Sequence, residues 1–356
     1  MRYTTIESAA PGSVLMRNVY GYRGEILLKK GLTLDQFYIN RLKKLRINGI
    51  YVSDDLSFEV EVASLISDSL KNKAVCDIRK TFKLFDSPTF SKKDAEESFN
   101  LINTTVSEFI SEIEKKPEVC INMIDLKLFD DYTYFHCVNV ALLSIVLGMA
   151  YGLSNAKVQK LGVAAMLHDI GKVKTPIEVL NKKEKLSDEE YHALKKHVEL
   201  GYSYVKEKLR LSSEIIKGVS QHHERWDGSG YPHRLKEKDI SLFGRIISIA
   251  DVYDALISDR PYRKGYRPAE ALEFLLANGN SDFDLELLEI FNRKIQPYPV
   301  GTVVFLSNNT KAIVSNVKPG FGTRPIVKVF ESEGKKIPPF IIDLSKPEYN
   351  TIIITS

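Results

Sequence analysis

The spacing of apolar residues divides this chain into helical and strand-forming regions. Across residues 58–116 apolar positions recur at helical spacing, and residues 86–89 separate two predicted helices. The helical period continues to about residue 295. The last sixty or so residues form short apolar runs between Asn, Gly and Pro, which predicts a small antiparallel sheet or partial barrel. The strands predicted there are 302–306, 312–314, 326–330 and 352–354.

The first 56 residues mix short apolar runs, turns and one helix. Residues 14–16 and 25–28 flank a glycine-containing segment, 21–24, and together they predict a hairpin. A helix at 34–45, preceded by Thr33, and a strand at 49–52 complete a small α+β module. Two roles stay open for it: a dimerisation or spacer unit, or a sensor of a ligand.

These patterns predict a mainly α fold with four regions. A small α+β N-terminal module spans 1–56, a helical linker or arm 57–116, a helical catalytic domain 117–295 and a β-rich C-terminal extension 296–356. The arm either forms a homodimer interface that carries a signal or simply covers the core of the catalytic domain. The extension carries no recognisable chemistry, and we expect it to be structural.

Composition narrows the class of protein without identifying it. The 356 residues are 27% charged and 44% hydrophobic, and the net charge of +4 is too small to indicate binding of polymeric DNA or RNA. The longest apolar run, residues 138–150, is too short to span a membrane, so no membrane association is predicted. Three scattered cysteines indicate no disulfide framework and fit the reducing cytoplasm.

Candidate chemistry is concentrated in residues that bind hard or borderline metals. Five of the seven histidines and two aspartates form the set, which is His136, His168, Asp169, His197, His222, His223 and Asp251. Imidazole and carboxylate ligands without thiolate suit iron first, then manganese, with zinc also compatible. The number of ligands exceeds what one tetrahedral ion needs, so two divalent metals are expected.

The expected ligands lie in or at the ends of predicted helices, which is how helical bundles build metal sites. His136 begins an apolar helix, and Ser187 opens a capping box for a helix that runs past His197. Two histidines are excluded. His192 lies five residues before His197 and so faces away from it, and His233 follows a loop where we expect solvent.

Three strings of residues sharpen this interpretation. Residues 166–172 read MLHDIGK, residues 222–232 read HHERWDGSGYP, and DVYDAL at 251–256 is followed by SDRPYR at 258–263. Over about residues 129–291 the chain resembles the HD-GYP family, a branch of the HD phosphohydrolases. Its members hydrolyse cyclic dinucleotides, mainly cyclic di-GMP. The resemblance implies an HD-type helical bundle for the catalytic domain.

The resemblance also implies roles for the candidate ligands. Asp169 would bridge two ions, with His136, His168 and Asp251 completing one metal site. His197, His222 and His223 would complete the other. The catalytic residues would then be Asp169 and Lys172: a hydroxide between the metals attacks phosphorus, and Lys172 neutralises the charge that grows on the phosphate.

Substrate-side roles follow from the same resemblance. Gly230, Tyr231 and Pro232 would border the substrate, and Arg260 and Arg263 would grip phosphate or a guanine edge. The alternatives are packing beneath the loop for Tyr231 and a salt bridge within the loop for Arg260.

One position departs from the family pattern. Some members carry a Glu one turn before the first His, and it recruits a third metal. Tyr132 occupies that position here, with Asp131 beside it, so two metals are favoured.

Three functions remain open at this stage. The leading one is a metal-dependent phosphodiesterase that converts cyclic di-GMP to linear pGpG, with further hydrolysis to GMP undecided. The second acts on another cyclic dinucleotide such as cyclic GMP-AMP. The third is a receptor that binds a cyclic dinucleotide without turnover.

Overall fold

The computed structural model describes residues 1–21, 25–45, 47, 49–53, 64–116, 132–180, 182, 184, 186–258, 265–318 and 320–355. The described residues form two compact units. Unit 1 combines Met1–Leu65 with Ile295–Ser356, and unit 2 combines Ile66–Pro117 with Asp131–Lys294. The four regions predicted from sequence are therefore grouped in pairs: the two terminal regions share unit 1, and the arm shares unit 2 with the catalytic region. The individual boundaries at 56, 116 and 295 stay predictions.

The described residues of unit 1 form one α-helix, a short 3₁₀ helix (Pro347–Tyr349) and three small antiparallel sheets. Its N-terminal elements are β1 (Arg2–Thr5), β2 (Val14–Leu15), β3 (Val19–Tyr20), β4 (Ile26–Leu28), α1 (Gln36–Lys44) and β5 (Gly49–Ser53). Its C-terminal elements are β6 (Val303–Phe305), β7 (Thr310–Asn316), β8 (Ile326–Ser332) and β9 (Lys335–Asp343). The strand orders are β1-β5-β2, β3-β4 and β6-β7-β8-β9.

Several local predictions for unit 1 need correction. The hairpin joins β3 to β4, whereas residues 14–15 pair with β5, because the pairing of a two-residue strand is decided by its partner. The helix predicted at 34–45 is α1, which begins at Gln36 because the Asp35 side chain caps it by accepting from the Tyr38 backbone N–H at 2.8 Å. Residues 352–354 form only an isolated bridge between Leu306 and Ile354. The predicted strand at 49–52 is confirmed as β5.

The regular elements described in unit 2 are helices, joined by loops and one isolated bridge between Gly279 and Phe283. Its α-helices are α2 (Asp68–Asp86), α3 (Lys92–Glu114), α4 (Tyr132–Ala150), α5 (Asn155–Leu167), α6 (Ile177–Leu180), α7 (Asp188–Lys195), α8 (His197–Ser203), α9 (Ser213–Gln221), α10 (Leu242–Ile257), α11 (Pro268–Ala277) and α12 (Leu285–Lys294). A 3₁₀ turn, Ile170–Lys174, follows α5, and a π turn, Tyr204–Lys208, follows α8. The predicted mainly α fold, with small sheets from the two ends of the chain, is confirmed.

Capping side chains set where the helices of unit 2 begin. Ser187 and Glu190 form the predicted capping box of α7, and Ser91 with Asp94 forms another at the start of α3. The predicted break at 86–89 is confirmed, because α2 ends at Asp86 and Ser91 starts a new helix. The helix predicted to run past His197 is instead interrupted at Lys196, so that His197 begins α8.

The most apolar helix of unit 2, α4, lies in the core. Its 18-residue window Thr133–Ala150 has a mean hydropathy of 1.6, so by length and composition alone it could cross a membrane. That window is longer than the run recognised in the sequence. The surrounding helices bury 78% of it, which is the environment of a core helix. This burial fixes the direction in which His136 projects.

Candidate metal centre

Five helix segments of unit 2 bring the seven predicted ligands to one place. His136 lies near the start of α4, and His168 and Asp169 end α5. His197 begins α8, the pair His222-His223 follows α9, and Asp251 lies within α10. All are buried except His223, which is partly exposed. A bundle that converges helix ends on one point is a common scaffold for such sites.

The ligand atoms form two adjoining groups. One group contains Asp169, His197, His222 and His223, the other His136, His168 and Asp251, and within each group the ligand atoms lie within 4.8 Å of one another. Asp169 faces both. Its Oδ2 lies 3.6 Å from His136 Nε2 and 3.4 Å from His168 Nε2, while its Oδ1 lies 3.4 Å from His197 Nε2.

Backbone carbonyls orient three of the imidazoles. The Nδ1 atoms of His168, His197 and His222 each lie 2.7 Å from the carbonyl oxygen three residues earlier. A carbonyl oxygen only accepts hydrogen bonds, so each Nδ1 carries the proton and each Nε2 presents its lone pair to the centre. The helical turn before each histidine thus selects the tautomer that a metal requires.

Asp254 orients the fourth imidazole and was not among the residues predicted from the sequence. Its Oδ2 lies 2.7 Å from His136 Nδ1, and its Oδ1 accepts from Asn139 Nδ2 at 2.8 Å. Asp254 is fully buried, one helical turn after Asp251. The DVYDAL string contained the signal: an i, i+3 pair of aspartates places two carboxylates on the same side of a helix.

Unsatisfied buried atoms indicate that a cation belongs between these groups. Within the described residues, His168 Nε2 and Asp169 Oδ1 are buried without a hydrogen-bond partner. Buried polar atoms normally have partners, and leaving them unpaired is costly. Both atoms offer lone pairs to the same small space as the other ligands. The donor set and its geometry therefore fit a divalent metal site.

Burial and charge set the protonation states of the candidate ligands. Burial is the main cause that lowers the pKa of His197 to about 4 and that of His222 to about 3, so both are neutral at pH 7. Burial opposes ionisation of Asp169, but the charge of Lys172 and the contact with His168 hold its pKa well below the usual value. At His136 burial is outweighed by hydrogen bonds to Asp251 and Asp254, which raise its pKa to about 9.

Lys172 lies on the 3₁₀ turn directly beside Asp169. Its Nζ is 2.5 Å from Asp169 Oδ2, and its side chain is 21% exposed. Burial disfavours the ammonium form, but the charges of Asp169 and Asp251 outweigh that effect and raise the pKa of Lys172. A permanent positive charge therefore lies at the edge of the ligand cluster.

The loop that contains Gly230, Tyr231 and Pro232, here called the GYP loop, is held against the candidate metal centre. Its own backbone and Glu224 make the contacts that hold it. The buried carboxylate of Glu224 accepts from the backbone N–H groups of His233 at 2.8 Å and Leu235 at 3.0 Å. A Cβ on Gly230 would lie 2.3 Å from the Arg225 nitrogen, so only glycine fits this approach. Tyr231 stacks on His223 with ring centroids 4.8 Å apart, and its N–H donates to the His223 carbonyl at 3.1 Å. Sequence analysis missed Glu224.

The remaining predicted residues separate into two groups. Gly230, Tyr231 and Pro232 lie in the loop beside His223. Arg260, Arg263, Asp131 and the side chain of Tyr132 lie outside the described residues, so their predicted roles stay predictions. The excluded histidines, His192 and His233, are exposed.

Comparison with known proteins places this site in a family. The HD domain family matches residues 109–287, half of the chain, and includes every ligand described above. The chain belongs to the HD domain family, in its HD-GYP branch. The HD-GYP fold is also found in a solved structure, the HDG"Y"P protein from Bdellovibrio bacteriovorus. That structure has a TM-score of 0.50 and 20% identity, and the match covers 82% of this chain and 97% of that one.

The curated relatives of this HD-GYP chain are named for hydrolysis of cyclic dinucleotides. A cyclic di-GMP phosphodiesterase of Pseudomonas aeruginosa is 36% identical over 243 residues, 68% of this chain and 58% of that protein. Cyclic di-GMP phosphodiesterase PdeB of Borreliella burgdorferi is 31% identical over 211 residues, 59% of this chain and 55% of that protein. A 3'3'-cGAMP-specific phosphodiesterase of Vibrio cholerae is 38% identical over 156 residues, 44% and 30% of the two chains. The matches thus span less than two thirds of these relatives.

Proposed function

We propose that this chain is a phosphodiesterase that hydrolyses cyclic di-GMP to linear pGpG with two divalent metals, iron first and manganese second. The observation that carries the proposal is Asp169, whose two carboxylate oxygens face two separate groups of imidazoles. A carboxylate between two groups of ligands is the arrangement that a bridged metal pair needs. The names of the relatives supply the substrate class. A reducing cytoplasm is the proposed location.

The chain's own residues would hold the metals, orient the ligand atoms and neutralise charge on the substrate. Two bound divalent ions supply Lewis acidity and lower the pKa of a coordinated water towards neutrality. The imidazole tautomers and Asp169 keep the ligand atoms aimed at one point. Lys172 holds a positive charge beside that point, where it stabilises the charge that develops on the attacked phosphodiester.

The substrate would lie against the GYP loop. Tyr231 presents an aromatic ring beside His223, and the tight backbone approach of Gly230 fixes that ring's position. Arg260 and Arg263 complete the proposed substrate contacts. Their guanidinium groups suit bidentate recognition of phosphate or of a guanine edge.

Cyclic GMP-AMP is a second candidate substrate. The observation that favours it is the 38% identity to a Vibrio cholerae protein named for that specificity. The proposed metal and phosphate contacts do not depend on which purine the dinucleotide carries, so they suit both dinucleotides.

The test combines metal analysis with identification of products. Protein purified without oxygen is expected to hold about two metals per chain and to release pGpG from cyclic di-GMP. Asp169→Ala should lose both metals and all turnover, because one carboxylate serves both groups of ligands. His223→Ala is the matched comparison and should lower occupancy of one metal only. Binding of cyclic di-GMP by fully loaded wild type without any product would establish a receptor instead.

A further inference from the structure

Lys195 ends α7 beside the GYP loop and was not among the predicted site residues. Its Nζ lies 4.4 Å from the ring centroid of Tyr191, one turn earlier on the same helix, and 4.8 Å from that of Tyr231. Tyr231 in turn stacks on His223 of the metal centre. Two successive ring contacts therefore connect this ammonium group with the ligand cluster.

The charge of Lys195 is uncompensated among the residues that the structure describes. Two other lysines of unit 2 have carboxylate partners: Lys172 pairs with Asp169, and Lys182 pairs with Glu190 at 2.6 Å. The described partners of the Lys195 ammonium group are the rings of Tyr191 and Tyr231, and the Lys195 side chain is half-buried. Aromatic rings attract and position a cation but carry no net charge, so a full positive charge stays available to an anion.

A cyclic dinucleotide presents two phosphodiesters in one ring, and only one of them is cleaved at a time. Metals held by the ligand cluster, together with Lys172, would compensate the charge of the attacked group. The other phosphodiester is tied to it by the macrocycle and must lie nearby, where it needs a second cation. Lys195 is a described cation that lies next to the loop, close to the centre but not in it.

We propose that Lys195 binds the uncleaved phosphodiester of the cyclic dinucleotide, with Tyr191 and Tyr231 holding its ammonium group in position. The inference rests on the proposed function and deepens it. The contact with Lys195 would affect substrates that have two phosphodiesters and not those that have one, because only the former would reach Lys195.

The experiment compares substrates with one and two phosphodiesters. Lys195→Met removes the charge and keeps most of the stem. It should weaken binding of a non-hydrolysable phosphorothioate of cyclic di-GMP about tenfold, the size of one charge-assisted hydrogen bond in a half-buried site. Its kcat/KM towards bis(p-nitrophenyl) phosphate, which has one phosphodiester, should equal that of wild type.

Two further variants complete the design. Lys195→Arg keeps the charge and should restore most of the binding. Lys196→Met changes the next residue, which is exposed, and should have no effect on either substrate. Metal content is measured for every variant, so that loss of metal is not mistaken for loss of a contact.

Each outcome has a distinct meaning. If Lys195→Met binds the analogue as wild type does, the residue does not contact the substrate. If it loses activity equally towards both substrates, its role is to hold Tyr231 in place. If fully metallated wild type binds no cyclic dinucleotide, the proposed function itself fails, and the inference fails with it.

Discussion

Asp254 shows that the metal centre depends on a residue that is not itself a ligand. Its carboxylate accepts from His136 Nδ1 and so aims the Nε2 atom towards Asp251 and Asp169. Partners of this kind typically contribute ten- to a hundredfold in metal affinity. We therefore expect Asp254→Asn to lower metal affinity by about ten- to a hundredfold while the protein stays folded.

Competition with a chelator measures that affinity, and the exposed carboxylate Asp239 supplies a control. Asp239→Asn makes the same chemical change outside the centre and should leave metal affinity unchanged. An Asp254→Asn variant that binds metal as tightly as wild type would mean that packing within α4, and not Asp254, orients His136.

Residue types and spacing were enough to predict which side chains lie together at the centre, but not the residues that orient them. All seven histidines of the chain lie in the matched region, and the structure brings five of them together with Asp169 and Asp251. The spacing of Asp251 and Asp254 places both carboxylates on one side of a helix, but it does not show that Asp254 contacts His136, and Glu224 looks like an ordinary loop carboxylate in the sequence. Their importance lies in contacts between segments, Asp254 with α4 and Glu224 with residues 233–235, which no local pattern encodes.

Packing between short elements positions the two halves of the metal centre. The 3₁₀ turn that carries Lys172 follows Asp169 directly, and Gly171 within it lies against the backbone of α8, which begins with His197. A Cβ on Gly171 would lie 2.0 Å from the His197 carbonyl oxygen and 2.8 Å from the Gly201 nitrogen. Since both neighbours are backbone atoms, the two elements would have to separate.

Gly171→Ala should therefore cost about 1–3 kcal/mol of unfolding free energy and reduce metal occupancy, because it moves Asp169 relative to His197. Gly201→Ala is the matched variant, since the nearest atom to its Cβ would be in the Val219 side chain at 3.3 Å and no backbone atom would lie closer than 3.8 Å. Urea unfolding and elemental analysis of both variants provide the measurement. Equal stability and metal content in Gly171→Ala and Gly201→Ala would contradict a positioning role for this contact.

Elements with strong local signals were predicted well, and those decided by pairing were not. The capping box at Ser187 and the break after Asp86 are each encoded by a few residues that are close together in the sequence. Strand β9 was missed because Pro338 and Pro339 lie within it, and proline argues against a central strand. The sheet order makes β9 an edge strand, where missing N–H donors are tolerated.

At the scale of the whole molecule, the two ends of the chain share a hydrophobic cluster within unit 1. Tyr51 of β5 packs with Ile313 of β7 and Phe330 of β8, and Met1 and Tyr3 contact the same cluster. More than 250 positions separate Tyr51 from Ile313 in the sequence, so no periodicity could reveal the contact. The N-terminal module and the C-terminal extension are therefore expected to stabilise each other.

Strand β7 offers a matched pair of substitutions that tests this coupling. Ile313 and Val314 are both fully buried neighbours, but Ile313 packs with Tyr51 whereas Val314 packs within the C-terminal sheet. Ile313→Ala should cost about 2–5 kcal/mol and accelerate amide exchange in β1 and β5. Val314→Ala should accelerate exchange mainly in β6–β9. Hydrogen exchange followed by mass spectrometry separates the two patterns. If Ile313→Ala leaves protection of residues 49–53 unchanged, the N-terminal module is stable without the extension.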